Sequence, residues 1–252
     1  MKARKPQGYR PILSVSADPK TLKGEKYGAL TGICYLAPAE TSGIMNVCPM
    51  ANNCKAPCLN TSGNAVYMRS KIAARIRKTE FLFYHRELFI ASLRYDIGAL
   101  ERKARKLGMK PCVRVNGTSD LAGIALQMAG EFPEVQFYDY TKLPKAWRRV
   151  RPNYHLTFSY DGPESNHEES MRALQHKVNV AVVFDTHRGH QLPRTWHGYT
   201  VVDGDLSDLR FTDPKNGVIV GLRAKGKAKG CTNGFVQPSA GPQLYSIQAF
   251  GA

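Results

Sequence analysis

The chain shows two kinds of hydrophobic periodicity, one helical and one strand-like. From residue 64 to residue 107, apolar side chains recur at the spacing of one face of an α-helix. The stretch is longer than an average helix, so it predicts two helices or one kinked helix, with Gly108 as the stop. Short apolar runs bounded by polar residues occupy much of the remaining chain, and each predicts a β-strand. These runs lie at residues 10–17, 28–37, 111–116, 135–140, 154–160, 178–185, 199–203 and 217–222.

Strands that alternate with helices predict βαβ units and a parallel sheet. The helices between strands are expected at residues 121–130, 145–150 and 164–177. Seven or eight strands in this order favour a (β/α) barrel, closed or partial, and an open doubly wound sheet is the alternative. We expect a single α/β barrel domain over residues 1–252, with a cysteine-rich insertion at 34–63 and a basic helical region at 64–108. The glycine-rich fingerprints of dinucleotide-binding and P-loop proteins do not occur in the sequence.

The net charge narrows the choice of partner. The chain has 36 Lys and Arg residues against 20 Asp and Glu residues, a formal net charge of +16. This excess favours nucleic acid as a partner, and a solvated basic surface is the alternative. The basic N-terminus has no apolar stretch behind it, and no run approaches the ~18 apolar residues of a membrane span. We therefore expect a soluble cytoplasmic protein that does not bind membranes.

Four cysteines near the start of the chain form the most specific signal. Cys48, Cys54 and Cys58 follow the spacing C-x5-C-x3-C, and Cys34 lies upstream of them. In a reducing compartment, clustered cysteines indicate metal or redox chemistry more often than disulfides. Zinc would take four thiolates, with Cys34 completing the set, whereas a [4Fe–4S] cluster held by the other three would leave one iron open. Free cysteines are the alternative to both.

Polar side chains follow most of the predicted strands. In parallel α/β folds the reactive groups gather just beyond the carboxyl ends of the strands, so these residues would surround one mouth. Paired carboxylates there can share acid–base and nucleophile roles, whereas Asp residues in turns and helix caps have no such role. Asp161 fits a turn, but Asp120 and Asp203 directly end strong strands. The candidates are Asn116, Asp120, Asp139, Lys142, Ser159, Asp161, Asp185, Asp203, Asp205 and Asp208.

A segment rich in glycine and lysine follows the last predicted strand, at residues 221–230. Glycine lets the backbone approach an anion closely, and Arg223 and Lys225 supply positive charge. The segment predicts a contact with the phosphate backbone of nucleic acid. A flexible basic loop without a role is the alternative.

The order of these motifs resembles a group of phage and plasmid proteins. The resemblance covers roughly residues 30–237 and includes the C-x5-C-x3-C loop and the basic helical region. It implies a mobile-element protein with a barrel-like fold, located in the host cytoplasm. The other segments that carry it are 113–120, 132–142, 157–161 and 217–226.

Two enzyme families lie near this group, and the first is the guanine transglycosylases, which include phage relatives that insert 7-deazaguanines into DNA. This resemblance implies a barrel, a zinc site and a modified purine base as substrate, with DNA favoured over RNA. If the roles of that family's two Asp residues apply to this chain, Asp120 would be the acid–base group and Asp203 or Asp205 the nucleophile. The zinc cysteines of that family lie late in the chain, whereas these lie early. An extruded base would stack on an aromatic side chain, and Tyr138, Tyr140 and Tyr160 are the candidates, with core packing as the alternative.

The second family is the radical S-adenosylmethionine enzymes, which place three cysteines after the first strand and a glycine-rich turn after the second. Asn116 and Ser119 lie where that turn would be. The usual spacing in that family is C-x3-C-x2-C, which this chain lacks. The sequence therefore predicts a DNA guanine transglycosylase first and an iron–sulfur enzyme that uses S-adenosylmethionine second. A non-catalytic DNA-binding protein is the third hypothesis.

Overall fold

The protein folds around a ten-stranded sheet. The structure is a computed structural model that describes residues 4–16, 22, 24–58 and 69–239, with Arg149 described in its backbone alone. The strands are β1 (Leu13–Val15), β2 (Ala29–Cys34), β3 (Lys110–Arg114), β4 (Gln136–Thr141), β5 (Tyr154–Ser159), β6 (Val180–Phe184), β7 (Thr195–Trp196), β8 (Tyr199–Asp203), β9 (Ile219–Arg223) and β10 (Val236–Gln237). The helices are α1 (Arg69–Tyr84), α2 (Arg86–Lys106), α3 (Ala122–Glu131) and α4 (His167–Gln175).

The strand order is β1-β2-β3-β4-β5-β6-β9-β8-β7, and every neighbouring pair from β2 to β8 is parallel. The outer strands β1 and β7 are antiparallel to their neighbours. Strand β10 adds to β6 at Val183 and Phe184, just beyond the residues of β6 that pair with β5. The carboxyl ends of the parallel strands therefore share one edge of the sheet.

The expected mixed α/β fold with a mostly parallel sheet is confirmed, but the predicted barrel is not shown. Over the residues that the structure describes, no pairing joins β1 to β7 or β8, so the sheet has two edges. The alternation of strands and helices predicts which neighbours are parallel, but it does not say whether the outer strands meet. The sequence reading also missed the short strands β7 and β10.

The helical region forms two helices, as expected, with a break at His85. Its first residues, 64–68, and the end of the predicted cysteine-rich insertion, 59–63, lie outside the described residues. Helix α2 ends at Lys106, and the predicted stop, Gly108, lies two residues beyond it. There the amides of Gly108 and Met109 bond the carbonyls of Arg105 and Ala104, and the positive φ of 64° suits glycine. No helix in the described part of the chain is long and apolar enough to cross a bilayer.

The two faces of the sheet are covered differently. Phe137 and Val113 belong to the large core beneath helices α2 and α3. Their strand neighbours Tyr138 and Cys112 point the opposite way and pack with Leu209. Leu209 belongs to residues 204–213, which follow β8 and cross back over β4 and β5; we call them the covering segment.

A buried ion pair fastens the covering segment to the sheet. Arg114, at the end of β3, is 3% exposed and donates to Asp208 at 2.7 Å. Its guanidinium also lies over the rings of Tyr138 and Tyr140, 5.6 and 5.2 Å from their centroids. Burial acts to lower the pKa of Arg114, but Asp208, Tyr138, Tyr140 and Asp139 together outweigh it, and the pKa lies above its ordinary value. Arg114 therefore stays charged and holds the covering segment against the face away from the helices.

Candidate functional site

Residues 48–58, which we call the cysteine loop, are fastened to the carboxyl edge of the sheet by Asp161, two residues after the end of β5. This carboxylate is fully buried and accepts the backbone amides of Asn53 at 3.0 Å and Cys54 at 2.9 Å. It also accepts the hydroxyl of Ser165 at 2.9 Å. The residue that the sequence suggested as a turn former is thus the anchor of the loop.

Glycine beside this anchor permits the close approach. A Cβ atom on Gly162 would lie 2.4 Å from the Nδ2 atom of Asn53, and its φ of +130° is one that other residues rarely adopt. The cysteine loop therefore needs glycine at this position to reach Asp161.

The three cysteines of the loop lie at this edge. The Cys48 thiol donates to the carbonyl of Thr118 at 3.6 Å, which places it on the loop after β3. Burial raises the pKa of Cys48, and it raises the pKa of Cys54 to about 11. Cys58 lies near enough to both thiols to raise their pKa values further.

Cys34, the expected fourth ligand, lies elsewhere. It is 1% exposed at the end of β2 and belongs to the core beneath α2. Burial raises its pKa to about 12, and the charged groups that act on it are Lys78, Asp139 and Asp96, none of which is in the cysteine loop. The structure thus groups three of the four cysteines predicted to bind metal.

The three grouped thiols have the chemistry of a thiolate metal site. Soft sulfur ligands suit zinc and iron–sulfur clusters, and a bound cation would lower the raised pKa values. Within the described residues, no three His, Cys, Asp or Glu side chains lie close enough together to hold a metal ion, so the predicted metal site is not shown. Binding would therefore have to draw the sulfur atoms closer together.

Lys142 and Asp120 lie beside the thiols. Asp120 accepts the backbone amide of Lys142 at 2.7 Å, and the Lys142 ammonium donates to Ser159 at 2.9 Å. That ammonium is 3.9 Å from Asp161 and lowers the pKa of Cys54. Burial raises the pKa of Asp120 despite the hydrogen bond from Lys142. The site thus combines thiols, a cation and a carboxyl group whose proton is held more tightly than usual.

Asp203 and Asp205 form a separate group at the ends of β8 and β9. Arg223 donates to both carboxylate oxygens of Asp203, at 2.9 Å each, and to Asp205 at 3.1 Å. Lys225 donates to Asp205 at 2.6 Å. Burial acts to raise the pKa of Asp205, but Lys225 and Arg223 outweigh it and hold the pKa below its usual range. The expected nucleophiles and the expected phosphate ligands are therefore partners of each other.

A cavity of about 390 Å³ opens behind the contact between Asp120 and Lys142. It lies between the start of α3, the segment after β4 and strand β5, so it adjoins the two loops that carry these residues. Its volume falls within the range of small-molecule sites. It is lined by Ala122, Gly123, Leu126, Leu143, Pro144, Lys145, Ala146, Tyr154 and Leu156.

A family model described as gene product 88 matches residues 11–237, which is most of the chain. The chain belongs to the gene product 88 family. This match supports the resemblance to phage proteins and does not bear on either enzyme family. No curated protein and no solved structure matches this member of the gene product 88 family.

Asn116 and Ser119 of this gene product 88 family member position the loop after β3. Asn116 donates its backbone and side-chain amides to Asp139, at 2.9 and 3.2 Å, and accepts the Ser119 hydroxyl at 3.0 Å. Tyr154 also donates to Asp139, at 3.2 Å. Both candidates therefore hold the loop that carries Asp120, rather than pointing into open space.

The raised pKa of Asp139 predicts that the stability of the protein depends on pH. Burial raises its pKa to about 7, against the charge of Arg114 and the bonds from Asn116. Between about pH 4 and pH 7 the folded protein holds a proton that the unfolded chain releases. The contribution of Asp139 to stability is therefore fully present below about pH 4 and is lost as the pH rises towards 7. We expect Asp139→Asn to gain stability relative to the native chain over this range, by up to about 4 kcal/mol. Urea unfolding at several pH values measures this, and a difference that stays constant with pH would contradict it.

Tyr138 and Tyr160, expected to stack on a base, are core residues. Tyr138 is 1% exposed and packs edge-on against Phe211 of the covering segment. Tyr160 is 2% exposed and packs against Trp196, with ring centroids 4.9 Å apart. The alternative of core packing holds for both.

Several residues of the site were missed by the sequence reading because their partners are distant in the chain. Asn233 donates to the carbonyl of Asn53 at 2.8 Å and accepts the thiol of Cys231 at 2.7 Å. Phe235 lies 5.7 Å from the Lys142 ammonium, measured to the ring centroid. No local motif marks these residues, and only the pairing of β10 with β6 brings them to the cysteine loop.

Proposed function

We propose that this protein is an iron–sulfur enzyme that acts on nucleic acid, with Cys48, Cys54 and Cys58 as the cluster ligands. The observation that carries the proposal is the anchoring of the cysteine loop by Asp161. It places three thiols at the carboxyl edge of a parallel sheet, where α/β enzymes hold their reactive groups.

The position of Cys34 favours an iron–sulfur cluster over zinc. A structural zinc site takes four protein ligands, and Cys34, which the sequence suggested as the fourth, is buried in the core beneath α2. Three thiolates fit a [4Fe–4S] cluster with one iron open to a small molecule. S-adenosylmethionine is the co-substrate that the resemblance to radical enzymes implies.

The residues around the thiols would bind and orient the reactants. A bound cluster would supply electrons. Lys142 places a positive charge among the sulfur atoms and Asp161, which offsets their negative charge. Asp120, whose proton is held by burial, can exchange a proton with a bound group. Asn116 fixes the loop that carries Asp120 by bonding Asp139.

The proposal of a nucleic-acid target is based on the positive charge of the chain. The formal net charge of +16 attracts polyanions, and exposed lysines follow β9 at Lys225, Lys227 and Lys229. Lys225 is engaged with Asp205, so the other two are the better candidates for phosphate contacts.

Anaerobic purification tests the cluster. We expect a brown protein with about four irons per chain, and Cys54→Ala should lose most of the iron. Cys112→Ala is the matched control, because Cys112 is buried within β3 away from the loop and should leave the iron content unchanged. Iron and sulfide analysis with absorption spectroscopy is the measurement. A colourless protein that contains only zinc or no metal would end the proposal.

The second candidate is base exchange by a transglycosylase, and one observation favours it. The surroundings move two carboxyl groups in opposite directions, raising the pKa of Asp120 and lowering that of Asp205, as an acid–base group and a nucleophile require. Against it, Arg223 and Lys225 already neutralise the proposed nucleophile. If the purified protein is free of iron but exchanges labelled guanine in DNA, this candidate replaces the first.

A further inference from the structure

The residues from 231 to 237 form a fixed closing segment over the cysteine loop. Asn233 bonds the carbonyl of Asn53 and accepts the backbone amide of Phe235 at 3.2 Å. Gln237 bonds the carbonyl of Gly234 at 2.7 Å, and β10 pairs with β6. The aromatic ring of Phe235 is therefore held in place by bonds on both sides of it.

Phe235 is a partly buried aromatic side chain next to the cysteine loop. Its ring lies 5.7 Å from the ammonium of Lys142, which itself reaches Ser159 and Asp161. By contrast, Tyr138 and Tyr160 could meet a base only if the core opened, because they are 1% and 2% exposed. Phe235 thus has the access that these two tyrosines lack.

Positive charge lies just before this ring in the chain. Lys227 and Lys229 are exposed on the short 3₁₀ turn Gly226–Gly230, which directly precedes the closing segment. Proteins that hold single-stranded nucleic acid combine an aromatic side chain, on which a base stacks, with cations that follow the phosphates. This turn and the closing segment carry both features next to each other in the chain, and Asn233 bonds the closing segment to the cysteine loop.

We propose that Phe235 is a stacking platform for a base of single-stranded or extruded nucleic acid, with Lys227 and Lys229 binding the flanking phosphates. The inference rests on the nucleic-acid target of the proposed function and names the surface that binds it. One face of the ring is directed to Lys142, so the base stacks on the remaining exposed part. The stacked base then lies beside the cysteine loop, which is where the proposed chemistry takes place.

The test is fluorescence anisotropy of the metal-free protein with labelled twelve-nucleotide DNA and RNA single strands and with the matched DNA duplex. We expect single strands to bind more tightly than the duplex. Phe235→Ala should weaken single-strand binding by about 5- to 150-fold, the range measured for loss of one base stack. Phe235→Leu, which keeps the apolar volume, should weaken it by a similar factor, whereas Phe235→Trp should bind at least as tightly as the native chain. The DNA and RNA strands show which of the two this surface prefers.

Two further variants test the role of the lysines and the position of the aromatic ring separately. The double variant Lys227→Gln/Lys229→Gln should lower the slope of log affinity against log salt by about 1.4, since each phosphate contact on a single strand contributes about 0.7. Phe83→Ala removes an aromatic side chain that is 51% exposed at the end of α1, and it should leave binding unchanged.

The results separate this surface from the rest of the proposed function. If Phe235→Ala or Phe235→Leu binds as tightly as the native chain, the stacking platform is wrong while a nucleic-acid target elsewhere on the protein stands. If the native chain binds neither DNA nor RNA, both the platform and the target are wrong. Because the protein is metal-free in this test, the iron–sulfur proposal is decided independently by metal analysis.

Discussion

Replacing Asp161 with alanine is expected to lower the free energy of unfolding by about 3 kcal/mol and to release the cysteine loop. The buried carboxylate accepts two backbone amides from the loop, and hydrogen bonds to a charged group contribute about 1.5–3 kcal/mol each. Its loss also leaves the Lys142 ammonium without the nearest carboxylate. Urea unfolding measures the stability, and the rate of thiol labelling with an aromatic disulfide reagent measures the release of Cys48, Cys54 and Cys58.

A surface carboxylate with similar bonding is the control for this prediction. Glu131 accepts two hydrogen bonds from Arg94 on the outside of the protein, where both side chains are about one-third exposed. We expect Glu131→Ala to cost less than about 1 kcal/mol and to leave thiol labelling unchanged. Asp161→Asn keeps an acceptor of the same shape and should fall between the two. Equal losses for Asp161→Ala and Glu131→Ala would refute the role given to Asp161.

Replacing Arg114 with methionine is expected to cost about 3–5 kcal/mol of stability, because it leaves Asp208 of the covering segment without its buried cation. Methionine fills similar volume without charge, so packing loss is kept small. The stacking of the guanidinium over Tyr138 and Tyr140 is lost at the same time. Urea unfolding at neutral pH is the measurement.

Two further variants separate charge from packing in this pair. Arg114→Met with Asp208→Asn removes both charges and should recover more than half of the lost stability, since removing one partner of a buried pair costs more than removing both. Arg172→Met breaks exposed ion pairs of α4 with Glu168 and Glu169 and should cost less than about 1 kcal/mol. No recovery in the double variant would show that the arginine acts through shape alone.

Much of the sheet could be predicted from the sequence because its strands are continuous apolar runs. Strands such as β6, with the sequence Val-Ala-Val-Val-Phe, are buried on both faces and stand out from their polar flanks. The order of the last strands could not be predicted, because β9 inserts between β6 and β8 through contacts that no local pattern encodes. Strands β7 and β10 have two residues each, too few to show a period.

The sequence indicated the candidate residues of the site better than it indicated their hydrogen-bond partners. The spacing of the cysteines predicted a metal site, whereas no group of three possible ligands in the described residues lies close enough to hold a metal ion. The sequence predicted Asp161 as a turn residue because Asp-Gly-Pro favours turns. Its hydrogen-bond partner Cys54 lies 107 positions upstream, which no local pattern indicates. The pairing of Asp203 with Arg223 likewise depends on β8 lying beside β9.

The bond between Asn53 and Asn233 spans 180 positions of the chain and has a consequence for biosynthesis. While the protein emerges from the ribosome, the first half of the sheet can assemble long before residue 233 is translated. Throughout that interval the cysteines are exposed to cellular oxidants and to stray metal ions without their final cover. The cysteine loop therefore reaches its final cover only after translation has ended, when β10 adds to β6.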